Sequence, residues 1–154
     1  GNTLAKANDG GYSGVGLWII SDNIKNSQNI AETFNLGGMS FYDVNFSSSG
    51  DKVIFTFKDN NNYHLSISDI DGSNYKELDN GTSIKSPIFS RNDDSIYYIK
   101  QNYLYSFNLE TSEISNIATI PESFTLSWTD DDHLILDGSR TTSIINLENE
   151  EILY

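Results

Sequence analysis

Carboxylates are the groups this chain offers most freely to chemistry. Asp69-Ile70-Asp71-Gly72 opens like a loop that cages calcium, and Asp130-Asp131-Asp132 sets three acids side by side. The first lacks a third oxygen ligand before its glycine and a Glu beyond it, so it reads as a β-turn between two strands. The second would need ligands converging from another loop, and otherwise is a solvated turn. His64 and His133, the two histidines, lie far apart in sequence, each beside a strand start, and read as edge or surface residues. Cysteine is absent, which excludes disulfides, thiol catalysis and Cys-ligated zinc. Gly14-Val15-Gly16 lacks the third glycine and the following helix of a nucleotide loop. Gly11-Tyr12-Ser13-Gly14 brings its second glycine one position too early for a nucleophile elbow. The expectation is a chain with no catalytic assembly, no cofactor and no metal site.

Binding is the remaining option, and charge narrows it. The formal net charge is −13, with nine Lys plus Arg in 154 residues. Such a surface repels phosphate backbones and anionic lipid, so nucleic acid is not an expected partner. No apolar run approaches the ~20 residues of a membrane helix, so no membrane insertion is expected. The acidity reads either as solubility or as a face that attracts cations. Tyr12, Tyr42, Tyr63, Tyr103, Lys58, Lys85 and Arg140 are the candidate binding residues, because Tyr and Arg commonly anchor interfaces. The competing reading is that these tyrosines cover strand edges. The expected partner is a protein or a small molecule.

These residues must be positioned by a repeat. Phe46-Ser47-Ser48-Ser49-Gly50-Asp51 followed by Lys52-Val53-Ile54-Phe55 returns at Phe89-Ser90-Arg91-Asn92-Asp93-Asp94 followed by Ser95-Ile96-Tyr97-Tyr98. It returns again, one residue shorter, at Trp128-Thr129-Asp130-Asp131-Asp132 followed by His133-Leu134-Ile135-Leu136. The leading aromatics stand 43 and 39 residues apart; a second landmark, the turns at Asp69, Asn108 and Asn146, repeats after 39 and 38. Short strands and polar turns at this period are the pattern of β-propeller blades. Each unit divides into strands a to d. Strand a covers 43–46, 86–89 and 125–128. Strand b covers 52–57, 95–99 and 133–136, strand c 63–68, 103–107 and 141–145, and strand d 75–78, 113–117 and 150–154. Gly, Asn and Asp gather in the turns because they tolerate the backbone angles needed there.

The N-terminal part fits the same template with strand a missing: 3–7 as strand b, 17–21 as strand c, Asn29 to Phe34 as strand d. A flexible Gly- and Asn-rich tail over residues 2–13 is the alternative. The expected fold is therefore all-β, about four propeller blades of four antiparallel strands, the first lacking its innermost strand. The blades run approximately over 2–38, 39–81, 82–121 and 122–154 in one propeller segment.

The unit resembles the TolB-type propeller repeat, a relative of the WD repeat. The likeness rests on Phe46-Ser47-Ser48-Ser49-Gly50 with Asp69-Ile70-Asp71-Gly72, on Pro87-Ile88-Phe89-Ser90, and on Leu17-Trp18-Ile19-Ile20 with Asp9-Gly10-Gly11. No Pro follows the Phe-Ser pairs, and the last unit keeps Trp128 and the period. The resemblance implies a propeller, commonly of six or more blades. Its members include periplasmic binding and scaffold proteins, propeller domains of serine peptidases and some sugar lyases. It implies a non-catalytic scaffold or binding domain in a bacterial periplasm or an extracellular setting; the cytosol stays open. An accessory propeller of a hydrolase or lyase, with its catalytic residues elsewhere, is the alternative. The motif residues are structural in that family, so no catalytic role carries over.

A blade cannot bury both faces alone. Ile54, Leu65, Ile67, Ile96, Tyr98, Leu104, Ile135 and Ile144 are the expected inter-blade core, with Trp18 and Trp128 as packed aromatics. Four blades in line leave two end faces open, so the remainder of a larger chain, or a second copy in a homodimer, is expected to complete the ring. Propellers bind where the d–a and b–c loops gather, here 37–42, 81–85, 121–124 and the b–c loops, and the seven candidate binding residues lie near that end.

Overall fold

The computed structural model describes residues 4–7, 16–20, 27–36, 39–120, 124–128, 133–138, 141–147 and 151–153. Strands β1 (Leu4–Ala7), β2 (Leu17–Ile20) and β3 (Ser27–Asn29) form a three-stranded sheet. Three four-stranded sheets follow. The second holds β4 (Ser40–Phe46), β5 (Lys52–Asp59), β6 (Asn62–Asp69) and β7 (Lys76–Gly81). The third holds β8 (Ile84–Phe89), β9 (Ser95–Lys100), β10 (Tyr103–Asn108) and β11 (Ile114–Thr119). The fourth holds β12 (Phe124–Trp128), β13 (His133–Gly138), β14 (Thr142–Asn146) and β15 (Glu151–Leu153). Each is an antiparallel meander in chain order. The first strands of neighbouring sheets lie together, β1 by β4, β4 by β8 and β8 by β12, so the sheets fan out from a common inner edge. This is a partial propeller.

The Phe-Ser pair that opens the repeats at Phe46 and Phe89 has a local cause. The Ser47 hydroxyl accepts from Lys52 N at 3.0 Å and gives to Asp51 Oδ1 at 3.1 Å. The Ser90 hydroxyl accepts from Asp94 N and Ser95 N at 3.1 and 2.9 Å and gives to Asp94 at 3.0 Å. One buried hydroxyl thus ties each of these two a–b turns. The b–c loops of the second and third sheets are tighter than expected from sequence. Asp59 pairs with Asn62 and Lys100 with Tyr103, leaving two-residue hairpin turns. Asn60 and Gln101 hold positive φ there, of 51° and 57°, as primed hairpin turns demand.

Packing between sheets is apolar, in three clusters. Leu17, Ile19 and Ile30 meet Phe41, Val53, Phe55 and Phe57. Ile54, Leu65, Ile67 and Leu78 meet Phe89, Ile96, Tyr98 and Phe107. Ile88, Ile99 and Leu104 meet Phe124, Leu126, Leu134, Leu136 and Ile145. Period-2 alternation explains the division: odd and even residues of one strand serve opposite neighbours.

Three expectations need correction. Ile135 is half-buried and Ile144 is 37% exposed. They pair in register like Ile54 and Ile67, on the corresponding face. For Ile54 and Ile67 the next sheet covers that face, whereas no sheet covers it on β12–β15 among the described residues. Residues 29–34 are not a strand: β3 ends at Asn29 and one helical turn, α1 (Ile30–Thr33), follows. The Asn29 side chain caps it by accepting from Ala31 N at 3.2 Å, and Ile30 and Ala31 are buried against the second sheet. Trp18 and Trp128 are half-buried rather than enclosed.

Candidate functional site

Two antiparallel pairings bring three of the candidate residues together. Lys58, near the end of β5, pairs with Tyr63 at the start of β6, and with Ser40 at the start of β4. A register shift between Phe41 and Val44 lets β4 carry Tyr42 outward. Tyr42 is 46% exposed and its ring lies 5.3 Å from that of Tyr63, tilted by 48°. The Lys58 ammonium sits over the Tyr63 ring at 5.1 Å. This is an aromatic pair with a cation on one face, able to take a planar or apolar group by stacking.

The other candidates are placed apart. Lys85 lies in β8 opposite Ile99, and Tyr103 begins β10 opposite Lys100 and Thr119. Tyr103 is 37% exposed and meets Tyr105 edge-on at 6.3 Å; Tyr105 in turn stacks on Tyr98 at 5.8 Å. Tyr12 and Arg140 lie outside the described residues. Lys58, Lys85, Tyr42, Tyr63 and Tyr103 all sit in strands rather than in the loops themselves.

Beneath the aromatic groups runs a polar brace that sequence reasoning missed. Tyr98 Oη donates to Asp79 Oδ2 at 2.8 Å, and Lys100 Nζ donates to both Asp79 oxygens at 2.8 and 3.0 Å. Burial, then the Asp79 partner, pushes the Tyr98 phenol far above its usual range, so it stays a hydrogen-bond donor. The network is consumed by its own partners and holds β7 against β9.

The Asp69-Ile70-Asp71-Gly72 motif behaves as a turn. Asp69 accepts from Lys52 Nζ at 2.7 Å, Asn74 Nδ2 at 2.6 Å and Ser73 Oγ at 3.2 Å. Lys52, ahead of Asn74, holds its carboxyl below the usual carboxylate range. Residues 130–132 lie outside the described residues. Among the described residues no three His, Cys, Asp or Glu gather to hold a metal ion. His64 stacks on Phe57 at 4.7 Å and meets Glu77 at 3.0 Å through Nδ1, an edge role.

At the opposite, a–b end the inner strands enclose a cleft lined by Phe46, Phe89 and Trp128 with Asn45, Ser48 and Arg91. Sequence reasoning used these residues as repeat landmarks; their common signal is the leading aromatic of each unit.

No protein-family model matches the chain, and no curated protein matches it. Solved structures do. A chain in the crystal structure of a nidogen/laminin complex superposes with a TM-score of 0.73 at 10% identity, over 90% of this chain and 54% of that one. TolB from Acinetobacter baumannii superposes at 0.63 and 15% identity, over 90% and 37%. The β-propeller domain of the trilobed protease from Pyrococcus furiosus superposes at 0.62 and 13% identity, over 97% and 51%. The fold is a β-propeller. At these identities the likeness speaks for the fold alone, and the chain spans about half or less of each of these structures. Among the described residues, no helix is long and apolar enough to cross a membrane.

Proposed function

We propose that this chain is a non-catalytic propeller segment of the TolB type that binds a protein or small-ligand partner at the end where the d–a and b–c loops gather. The observation that carries this reading is the exposed Tyr42 ring tilted against Tyr63, with Lys58 over the Tyr63 ring. Exposed aromatics on rigid strands lose little conformational entropy on binding, which suits them as anchors. Tyr12, Lys85, Tyr103 and Arg140 extend the proposed face. The TolB-like repeat motifs favour a scaffold role in an extracytoplasmic setting, and the structural likeness to TolB supports the propeller fold on which that role rests.

The test is a random-peptide phage selection on the immobilised chain, counter-screened on Tyr42→Ala and Lys58→Ala variants of unchanged thermal midpoint. Ligands that weaken about tenfold on Tyr42→Ala, roughly 1.4 kcal/mol, are expected. Ligands indifferent to both changes overturn the reading.

A second reading is an accessory propeller of a hydrolase or lyase, favoured by the likeness to the propeller domain of a protease. An immunoblot that finds the chain within a larger polypeptide bearing such an activity would select it. In either case the uncovered face with Ile135 and Ile144 is where a further blade, or a second copy, would pack.

A further inference from the structure

We propose that the a–b end of the stack carries a second site: a pocket for one aromatic side chain of a basic polypeptide segment. The cleft there measures about 160 Å³ and opens between the inner strands of three successive sheets. Phe46 closes it from β4, Phe89 from β8 and Trp128 from β12; Asn45 and Ser48 add polar atoms and Arg91 a guanidinium.

The Trp128 wall is fixed before any ligand arrives. Its Nε1 donates to the Phe89 carbonyl at 2.7 Å. Tyr97 meets the indole edge-on at 5.7 Å and 81°. The Arg91 guanidinium lies over the indole at 6.0 Å. A wall pinned on three sides loses little entropy when a ring packs on it.

Size sets the ligand class. Pockets for whole small molecules hold about 300–1,000 Å³, whereas an apolar cavity of about 150 Å³ accepts a benzene ring. This cleft therefore takes one ring and leaves the rest of its ligand outside. A single aromatic side chain in a desolvated pocket is how polypeptide partners form hot spots. Asn45 supplies the backbone complement. Its Nδ2 is committed to the Pro87 carbonyl at 2.9 Å, while its Oδ1 accepts no hydrogen bond among the described residues, so it can receive a peptide N–H. Charge sets the flanks. The one charged side chain of the lining is Arg91, set over the Trp128 indole, and three carboxylates outnumber it in the adjoining a–b turns: Asp51, Asp94 and Asp93, the last bonded to Ser48 N, on a chain of net charge −13. Lys or Arg on either side of the ring fits this field. The site lies at the other end of the sheets from Tyr42, Tyr63 and Lys58 and stands independently of them.

The test is a 15N NMR titration of the whole chain with the peptide Ac-Lys-Phe-Lys-NH2, following the Trp128 indole N–H. We expect a saturable shift of that signal, weaker binding by about tenfold or more for Ac-Glu-Phe-Glu-NH2, and no shift for Ac-Lys-Ala-Lys-NH2. Asn45→Trp and Ser48→Tyr each fill the cleft, and either one that keeps the wild-type spectral dispersion should abolish the shift. No saturable shift up to roughly 10 mM peptide overturns the proposal. So does an equal response to the Ala or Glu peptide, persistence of the shift in a folded filled variant, or movement confined to residues around Tyr42 and Tyr63.

Discussion

Truncating Leu134 and Ile144 to Ala, one at a time, separates the two faces of the β12–β15 sheet. The residues sit on adjacent paired strands, and Leu134 pairs with Ile145 as Ile135 pairs with Ile144. Leu134 is 0% exposed and packs in the cluster shared with Ile88, Ile99 and Leu104. Removing its isopropyl end loses transfer energy and leaves a cavity, about 3 kcal/mol within the ~2–5 range for such changes. Ile144 is 37% exposed on the uncovered face. It forfeits a fraction of the ~1.5–3 kcal/mol of full burial, about 1 kcal/mol. For a chain of this size each kcal/mol moves the thermal midpoint by roughly 2–4 °C. The expected drops are therefore about 6–12 °C for Leu134→Ala and about 2–4 °C for Ile144→Ala, read by calorimetry at two protein concentrations. Equal drops would refute the assignment of faces. A large, concentration-dependent drop for Ile144→Ala would show that a second copy covers the face instead.

Further outcomes can be checked in the same chain. Asp93→Ala removes the carboxylate that accepts from Ser48 N at 2.7 Å and Ser49 N at 3.0 Å across two sheets; it should cost about 1–2 kcal/mol in urea unfolding. Tyr98→Phe loses the 2.8 Å bond to Asp79 in a buried site and should cost about 1 kcal/mol, with no new cavity to add to it. Hydrogen bonds from Ser49 then Ser47 lower the Asp51 carboxyl, and Ser95 then Ser90 lower that of Asp94, from an ordinary 3.8. A depressed folded value stabilises above the ordinary value and is lost as pH falls through the folded one. The urea midpoint should thus fall as pH drops below about 4, and the fall should shrink in an Asp51→Asn, Asp94→Asn double variant. Gly72 sits at φ +82° with Thr33 Oγ1 3.3 Å from where a Cβ would stand, so Gly72→Ala should destabilise by about 1–2 kcal/mol. A neutral Gly72→Ala in the same urea assay would contradict that geometry.

The repeat made the strands legible because its causes are local. Ser47 and Ser90 tie their own turns, and the short apolar run from Val53 to Phe57 between polar turns marks a strand covered on both faces. Ile54, Leu65, Ile96, Tyr98 and Leu104 were read correctly as core for this reason. Ile135 and Ile144 were misjudged because the pattern names a face but not the neighbour that covers it. Residues 29–34 were misread because one Asn cap outweighed strand spacing over a single turn. Of the candidate binding residues, the joining of Tyr42, Tyr63 and Lys58 depends on the bulge in β4, which no spacing announces.

By itself, then, the amino-acid order determined an all-β chain of repeating antiparallel units, its turn positions, and the exclusion of cysteine chemistry. Those properties follow from neighbours along the backbone, where period, turn residues and composition act. Tertiary structure alone decided which apolar faces are covered, which tyrosines meet, and that Phe46, Phe89 and Trp128 from three units close around one cleft. These depend on contacts between residues some forty positions apart, set by how sheets pack and not by any local preference of the chain.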